Sequence, residues 1–225
     1  MSLLALATAS LFLSQSATAR LDTREAERLE ACVAKIEVDA EEAYEDGLAW
    51  TYQGNRPGAR QCTALALIAL GRADEGAARL ENLANAVDGG TLEQRAEYLT
   101  QAGNAWLQAG APEAAELTLT NALKLKPNVP DLLIDRASAY LLQEKWAEAE
   151  ADLDKAISLQ PGHATAHQFR AEARLNLDKL DPAMADVEAA MAADPENVDT
   201  LVLRGRVREA KRLSEVQILS PEIID

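Results

Sequence analysis

Pro127, Pro161 and Pro195 stand 34 residues apart, and the residues around them keep the same interval. Ala122, Ala156 and Ala190 precede each proline by five residues, and Ala115, Ala149 and Ala183 precede it by twelve. Gly103, Ala137, Ala171 and Gly205 step along at that interval too. A period of this length, with small residues at fixed phases, specifies stacked helix pairs, because a single pair cannot bury its apolar face and must lie against its neighbours. Such a stack favours extended binding surfaces over enclosed catalytic pockets.

With the proline placed at position 32 of the period, three units run over 96–129, 130–163 and 164–197. Each reads as helix, turn, helix, turn. In the middle unit Leu133, Ala137, Tyr140 and Leu141 form one apolar stripe, and Ala149, Leu153, Ala156 and Ile157 form the next. Gln143-Glu144-Lys145 makes the turn between them, and Pro161-Gly162 stops the second helix, since proline lacks an amide donor. In the unit before, Leu99, Gly103, Trp106 and Leu107 line the first helix, Gly110 breaks it, and Ala115, Leu119, Ala122 and Leu123 line the second.

A degenerate unit covers 57–90, where Leu67, Leu70, Leu80 and Leu83 keep helical spacing and Gly71-Arg72 turns the chain. Gly76 falls there at a phase that is alanine elsewhere, and Asp88-Gly89-Gly90 lengthens the connection onward. Residues 20–56 read as two helices, either a divergent repeat or an N-terminal cap, with Ala26, Leu29, Val33 and Ile36 on one face and Tyr44, Leu48 and Trp50 or Thr51 on the second helix. Residues 198–213 begin another first helix through Leu201, Gly205 and Arg208, with no second helix to match, and are expected to cap the stack. The tail, 214–225, contains Pro221 and no long periodic run, and reads as loosely ordered.

The net charge of −15 disfavours nucleic acid and anionic membranes, both of which need cationic side chains against phosphate. Residues 1–19 differ from the rest. Leu3 to Leu13 is apolar, Ala17-Thr18-Ala19 has the form of a cleavage site, and the run is too short to span a bilayer. The expectation is a secretory leader cut near Ala19, giving a periplasmic or secreted chain without stable membrane insertion. No Lys or Arg precedes the apolar run. Cys32 and Cys62 are the only cysteines. In an exported chain they can form a disulfide that pins the first helices to the stack; the alternative is two buried thiols packing as small apolar groups.

The chemical motifs reduce to structure. His163 and His167 are four apart, but the first follows the Pro161 turn, the second sits at a packing phase, and no H-E-x-x-H arrangement surrounds them. Asp152 and Asp154 read as solvated carboxylates pointing to different sides of a helix. No phosphate loop or nucleophile elbow is present in the sequence, and no catalytic residue, metal or cofactor is expected.

Leu133, Ala137, Tyr140, Ala149, Leu153, Ala156 and Pro161, with Leu99, Ala102, Gly103, Trp106, Ala115, Leu119, Ala122 and Pro127 before them, resemble the tetratricopeptide repeat. The third unit matches less closely, with His167 and Arg174 at phases that prefer apolar groups. The resemblance implies an all-α, right-handed superhelical solenoid of antiparallel helix pairs with a concave groove lined by first helices. By that resemblance the groove takes Glu97, Thr100 and Asn104, then Asp131, Ile134 and Ser138, then Gln168, Glu172 and Arg206.

Relatives that grip a peptide's terminal carboxylate use paired Lys, Asn and Arg. Here Asn104 stands where the asparagine belongs, but Thr100 and Gln168 stand where basic residues would be. The implied partner is therefore a neutral or basic protein or peptide segment, and not an acidic tail. The leading expectation is a non-catalytic, exported scaffold acting in envelope assembly or secretion. The alternatives are a structural or assembly subunit of a larger complex, and a cytosolic regulatory domain if the leader is not cut. The sequence leaves the oligomeric state open.

Overall fold

The structure is a computed structural model that describes residues 23–219, so the leader expected over 1–19 lies outside the described residues, as do 20–22 and 220–225. The described residues contain helices and turns and no strand. They divide into two compact units, one ending at Ala105 and one beginning at Trp106.

The first unit holds α1 (23–36), α2 (Ala40–Thr51), α3 (Pro57–Ala69), α4 (Ala73–Asn85) and most of α5 (Leu92–Gln108). Its ends follow local rules. The Asp39 side chain caps α2 by accepting from the Glu42 amide, and Pro57 opens α3 where no amide donor is needed. Thr91 and Gln94 cap α5 reciprocally, each side chain accepting from the other's backbone amide. The long connection before α5 is held by Arg95, which donates to the carbonyls of Ala84, Ala86 and Gly90 at the end of α4.

Two features of this unit differ from the sequence expectation. The inward face of α1 carries Leu29, Cys32 and Ile36, while Ala26 and Val33 are exposed. A disulfide from Cys32 to Cys62 on α3 fixes the helix in that rotation, with Trp50 and Ala59 packed around it. On α2 the buried residues are Ala43, Gly47 and Trp50, and Tyr44 and Leu48 are only half-buried. Gly76 is likewise no mere degeneracy. A Cβ there would stand 2.7 Å from the Ala64 carbonyl and closer still to Ile68 Cγ1, so α4 crosses α3 closer than alanine allows.

The second unit holds α6 (Pro112–Leu125), α7 (Pro130–Leu142), α8 (Trp146–Leu159), α9 (Ala164–Asn176), α10 (Leu180–Ala193) and α11 (Val198–Leu219). Ala115, Ala122, Ala137, Ala149, Ala156, Ala171, Ala183 and Ala190 are all buried at helix crossings, with Leu119, Leu133, Leu153 and Val187 filling the space between. Pro127, Pro161 and Pro195 each follow the end of a second helix by two residues. The turn inside each helix pair uses one left-handed residue at a common phase: Gly71, Gly110, Glu144 and Asp178, with φ between 56° and 79°. Two of these are not glycine, so the turn geometry is imposed by packing on both sides.

The same phases carry an ion-pair lattice. Arg136 on α7 grips both oxygens of Asp152 on α8 at 2.7 Å each and donates to Thr120 on α6. One period on, Arg170 on α9 grips Asp186 on α10 at 3.0 and 2.6 Å and reaches back to Asp154 on α8. Arg174 adds bonds to Asp186 and Glu150, and His167 bonds Asp186 through Nδ1. This corrects the reading of Asp152 as solvated, whereas Asp154 is exposed as that reading expects. Asp152 is buried and clamped bidentately, and the exposed Asp154 is held by Arg170 at 2.6 Å. It also explains His167 and Arg174 at apolar phases: each meets carboxylates that the neighbouring helices supply.

A further correction concerns the C-terminal end. Helix α11 does not stop at residue 213 but runs on through Leu219, because Pro221 is the first residue able to break it. No described helix is long and apolar enough to cross a membrane.

Two measurements test this account. Reducing the Cys32–Cys62 bridge opens a loop of 30 residues and is expected to cost about 3–4 kcal/mol, read as a lower urea midpoint with dithiothreitol. Burial pushes the Asp186 carboxyl up, but its bonds to Arg170 and His167 outweigh burial and hold it below the usual carboxylate range. A lowered folded-state pKa stabilises the fold above the unfolded value, near ~3.9, and that contribution disappears as pH falls through the folded value. Asp186→Asn is therefore expected to cost about 3 kcal/mol at neutral pH and to narrow the stability difference between neutral and acid solution in urea titrations.

Candidate functional site

Each unit exposes a face built from first helices. In the first unit α1, α3 and α5 line a cleft of about 670 Å³. Its apolar floor is Leu29, Pro57 and Gly58, and its polar walls are Glu25, Gln61, Gln94 and Glu97. Tyr98 also borders it; the ring is almost fully buried, and burial raises the phenol's pKa. Gln61 donates to Gln101 at 2.9 Å, so its carbonyl oxygen faces onward, and Gln94 spends its oxygen on the α5 cap. Glu25 stands 3.7 Å from Arg56, while its Oε2 is buried without a hydrogen-bond partner among the described residues. A buried carboxylate oxygen of this kind is costly unless a donor arrives. Carboxylates and amide groups over an apolar floor suit a chain segment that brings amide donors or a cation.

In the second unit α7 lies beside α9, and α9 beside α11. This brings Asp131, Ile134, Ser138, Gln168, Glu172 and Arg206 onto neighbouring first helices. Their chemistry is more restricted than the sequence implied. Ile134 is buried and contributes packing. Asp131 stands 3.4 Å from His163 Nε2, and Arg206 donates to Glu172 at 3.2 Å, so the Arg206 and Glu172 charges are matched within the protein. Ser138 and Gln168 are half-buried on the same face. His163 caps α9 by accepting from the Ala166 amide, and both ring nitrogens of His167 face oxygens, from Asp186 and the Pro161 carbonyl.

The three groove residues named on α5 separate. Glu97 lines the first-unit cleft and accepts from Gln101 at 3.1 Å. Thr100 is half-buried and spends its hydroxyl on the Ala96 carbonyl at 2.8 Å. Asn104 is exposed, and neither it nor Thr100 lines the cleft. Sequence reasoning missed Gly58 and Gln61, although the signal was present: carried back into the 57–90 unit, the phases of Glu97 and Thr100 fall on Gly58 and Gln61. Glu25 had no such signal, because the period does not reach α1.

A tetratricopeptide repeat family profile matches residues 107–172. Among solved structures, the chain is 30% identical to the first such domain of human RPAP3, covering 53% of this chain and 94% of that one with a TM-score of 0.52. It is also 30% identical to the first repeat domain of Spaghetti (RPAP3) bound to the HSP90 peptide SRMEEVD, with 53% and 94% coverage and a TM-score of 0.51. A thermophilic repeat protein of Thermus thermophilus, TTC0263, shares the fold over 83% of this chain and 98% of its own, at 22% identity and a TM-score of 0.55. No curated protein matches the chain.

Proposed function

The chain belongs to the tetratricopeptide repeat family, and we propose that it is a non-catalytic scaffold holding a neutral or basic peptide segment of a partner protein. The observation that carries this reading is the first-unit cleft, where Glu25 and Glu97 stand over an apolar floor and the buried Glu25 oxygen has no donor among the described residues. A lysine or arginine side chain, or a peptide amide, supplies that donor. The overall charge of −15 favours such partners at long range and slows acidic ones.

The related Spaghetti domain is bound to an acidic heptapeptide. Recognition of that kind needs cationic side chains along the groove, and Thr100 and Gln168 occupy the phases where they would stand. The proposed ligand therefore differs in charge from the relative's.

The proposed setting is outside the cytoplasm, in envelope assembly or secretion. The apolar run before Ala17-Thr18-Ala19 and the Cys32–Cys62 bridge support it, since structural disulfides persist in oxidising compartments.

Fluorescence anisotropy with a panel of extended peptides tests the ligand chemistry. Lysine- and arginine-containing peptides are expected to bind, and Glu25→Gln with Glu97→Gln to weaken them by roughly tenfold. Gln168→Ala is expected to weaken a peptide held on the α9 face of the second unit. Binding confined to acidic peptides such as SRMEEVD would overturn the reading. For the setting, N-terminal sequencing of the protein from its own cells is expected to begin at Arg20; an intact Met1 removes the case for export.

A further inference from the structure

The outer face of α11 has the form of a helix seat that no described residue fills. In the pair before it, His167, Ala171 and Arg174 on α9 face α10: Ala171 packs with Ala183 and Val187, and His167 and Arg174 both bond Asp186. Residues 34 further on are Leu201, Gly205 and Arg208. All three are exposed, and a Cβ at Gly205 would meet nothing within 4 Å. The small residue that elsewhere allows a second helix to approach is kept, and the approach is vacant. Leu203 and Val207, on the opposite side of α11, are buried against the α9–α10 pair, so α11 is docked on one side only.

The cations tell the same story. Arg204 and Arg208 stand one period after Arg170 and Arg174, the two arginines that close on Asp186. Among the described residues neither Arg204 nor Arg208 forms an ion pair, and Arg204 Nη1 has only the weak acceptor Met191 Sδ at 3.5 Å. Among the described residues the chain makes no turn here to fold back as it does in the earlier pairs. The left-handed turn residue at that phase is Gly71, Gly110, Glu144 or Asp178, whereas Arg212 at the same phase lies inside α11.

We propose that this face binds an amphipathic helix of a partner protein that presents an aspartate between small residues, in the pattern A-x-x-D-(V/L)-x-x-A that α8 and α10 display at Ala149-Asp152-Leu153-Ala156 and Ala183-Asp186-Val187-Ala190. The aspartate meets Arg204 and Arg208, the alanines cross at Gly205, and the apolar residue covers Leu201. Charge selects this occupant over a second copy. Another α11 would set Arg204 and Arg208 against their own kind, and Asp186 is already buried and bonded to His167, Arg170 and Arg174 of α9. The face is separate from the groove of first helices, and the proposal stands independently of the peptide reading.

The probe is a helix-stapled, fluorescein-labelled peptide with the sequence of residues 180–193, titrated into the full chain. Saturable binding is expected, weakened roughly tenfold or more when the probe's aspartate becomes asparagine. Gly205→Leu in the protein fills the crossing point and is expected to weaken binding by roughly tenfold or more. Its melting temperature should hold or rise, since the site is exposed and leucine favours helix. Glu25→Gln should leave the probe's affinity unchanged. Absence of saturation up to about 200 µM, or affinity unchanged in Gly205→Leu, overturns the proposal. So does sedimentation showing a wild-type dimer that Gly205→Leu dissolves, which would make the occupant a second copy.

Discussion

Everything in this structure depends on how closely two helices can cross. An α-helix with one apolar stripe is unstable alone in water, and it gains stability only by laying that stripe against another. Alanine at the crossings lets the backbones approach, and leucine and valine between crossings fill what is left. The alanines at the crossings of the second unit are almost fully buried, so each of those positions admits almost no other residue. This is why the period is strict, and why the helices, the turns and the charged contacts all repeat with it.

The crossings also determine where charge can go. Arg136 and Arg170 lie on first helices, between the second helix of their own pair and that of the pair before, and each finds a carboxylate on both sides or a hydroxyl in its place. A guanidinium suits this junction because its planar fork meets carboxylates bidentately. Replacing one partner strands the other in a half-buried site, so the lattice specifies register as well as contributing energy.

The fold was legible because its evidence is periodic. Proline, alanine and glycine phases located the helix pairs of the second unit and most of the first, where Gly71 still marked the turn. What escaped was set by contacts between residues far apart in sequence. The rotation of α1 follows the cross-link to Cys62, not the spacing of its own apolar residues. Asp152 looked solvated because nothing local reveals Arg136 sixteen residues away across a helix crossing. The length of α11 was hidden because weak periodicity after Arg212 resembles a tail, while the chain simply lacks a breaker before Pro221. The candidate site was less legible still. Residues at groove phases can be named from the repeat, but whether their polar atoms are already spent, as at Thr100 and Glu172, depends on neighbours that the repeat does not specify. Glu25 lies beyond the period altogether.

The bridge between Cys32 and Cys62 encloses the whole of α2. A covalent loop cannot lengthen under tension. If the protein is stretched between its ends, load passes from α1 to α3 through the sulfur atoms, and the segment 33–61 adds no contour, withholding about 100 Å of extension. The helices beyond α3 have no such shunt. Extension therefore comes only from residues outside the loop, and the cross-linked segment keeps its length for as long as the bridge holds.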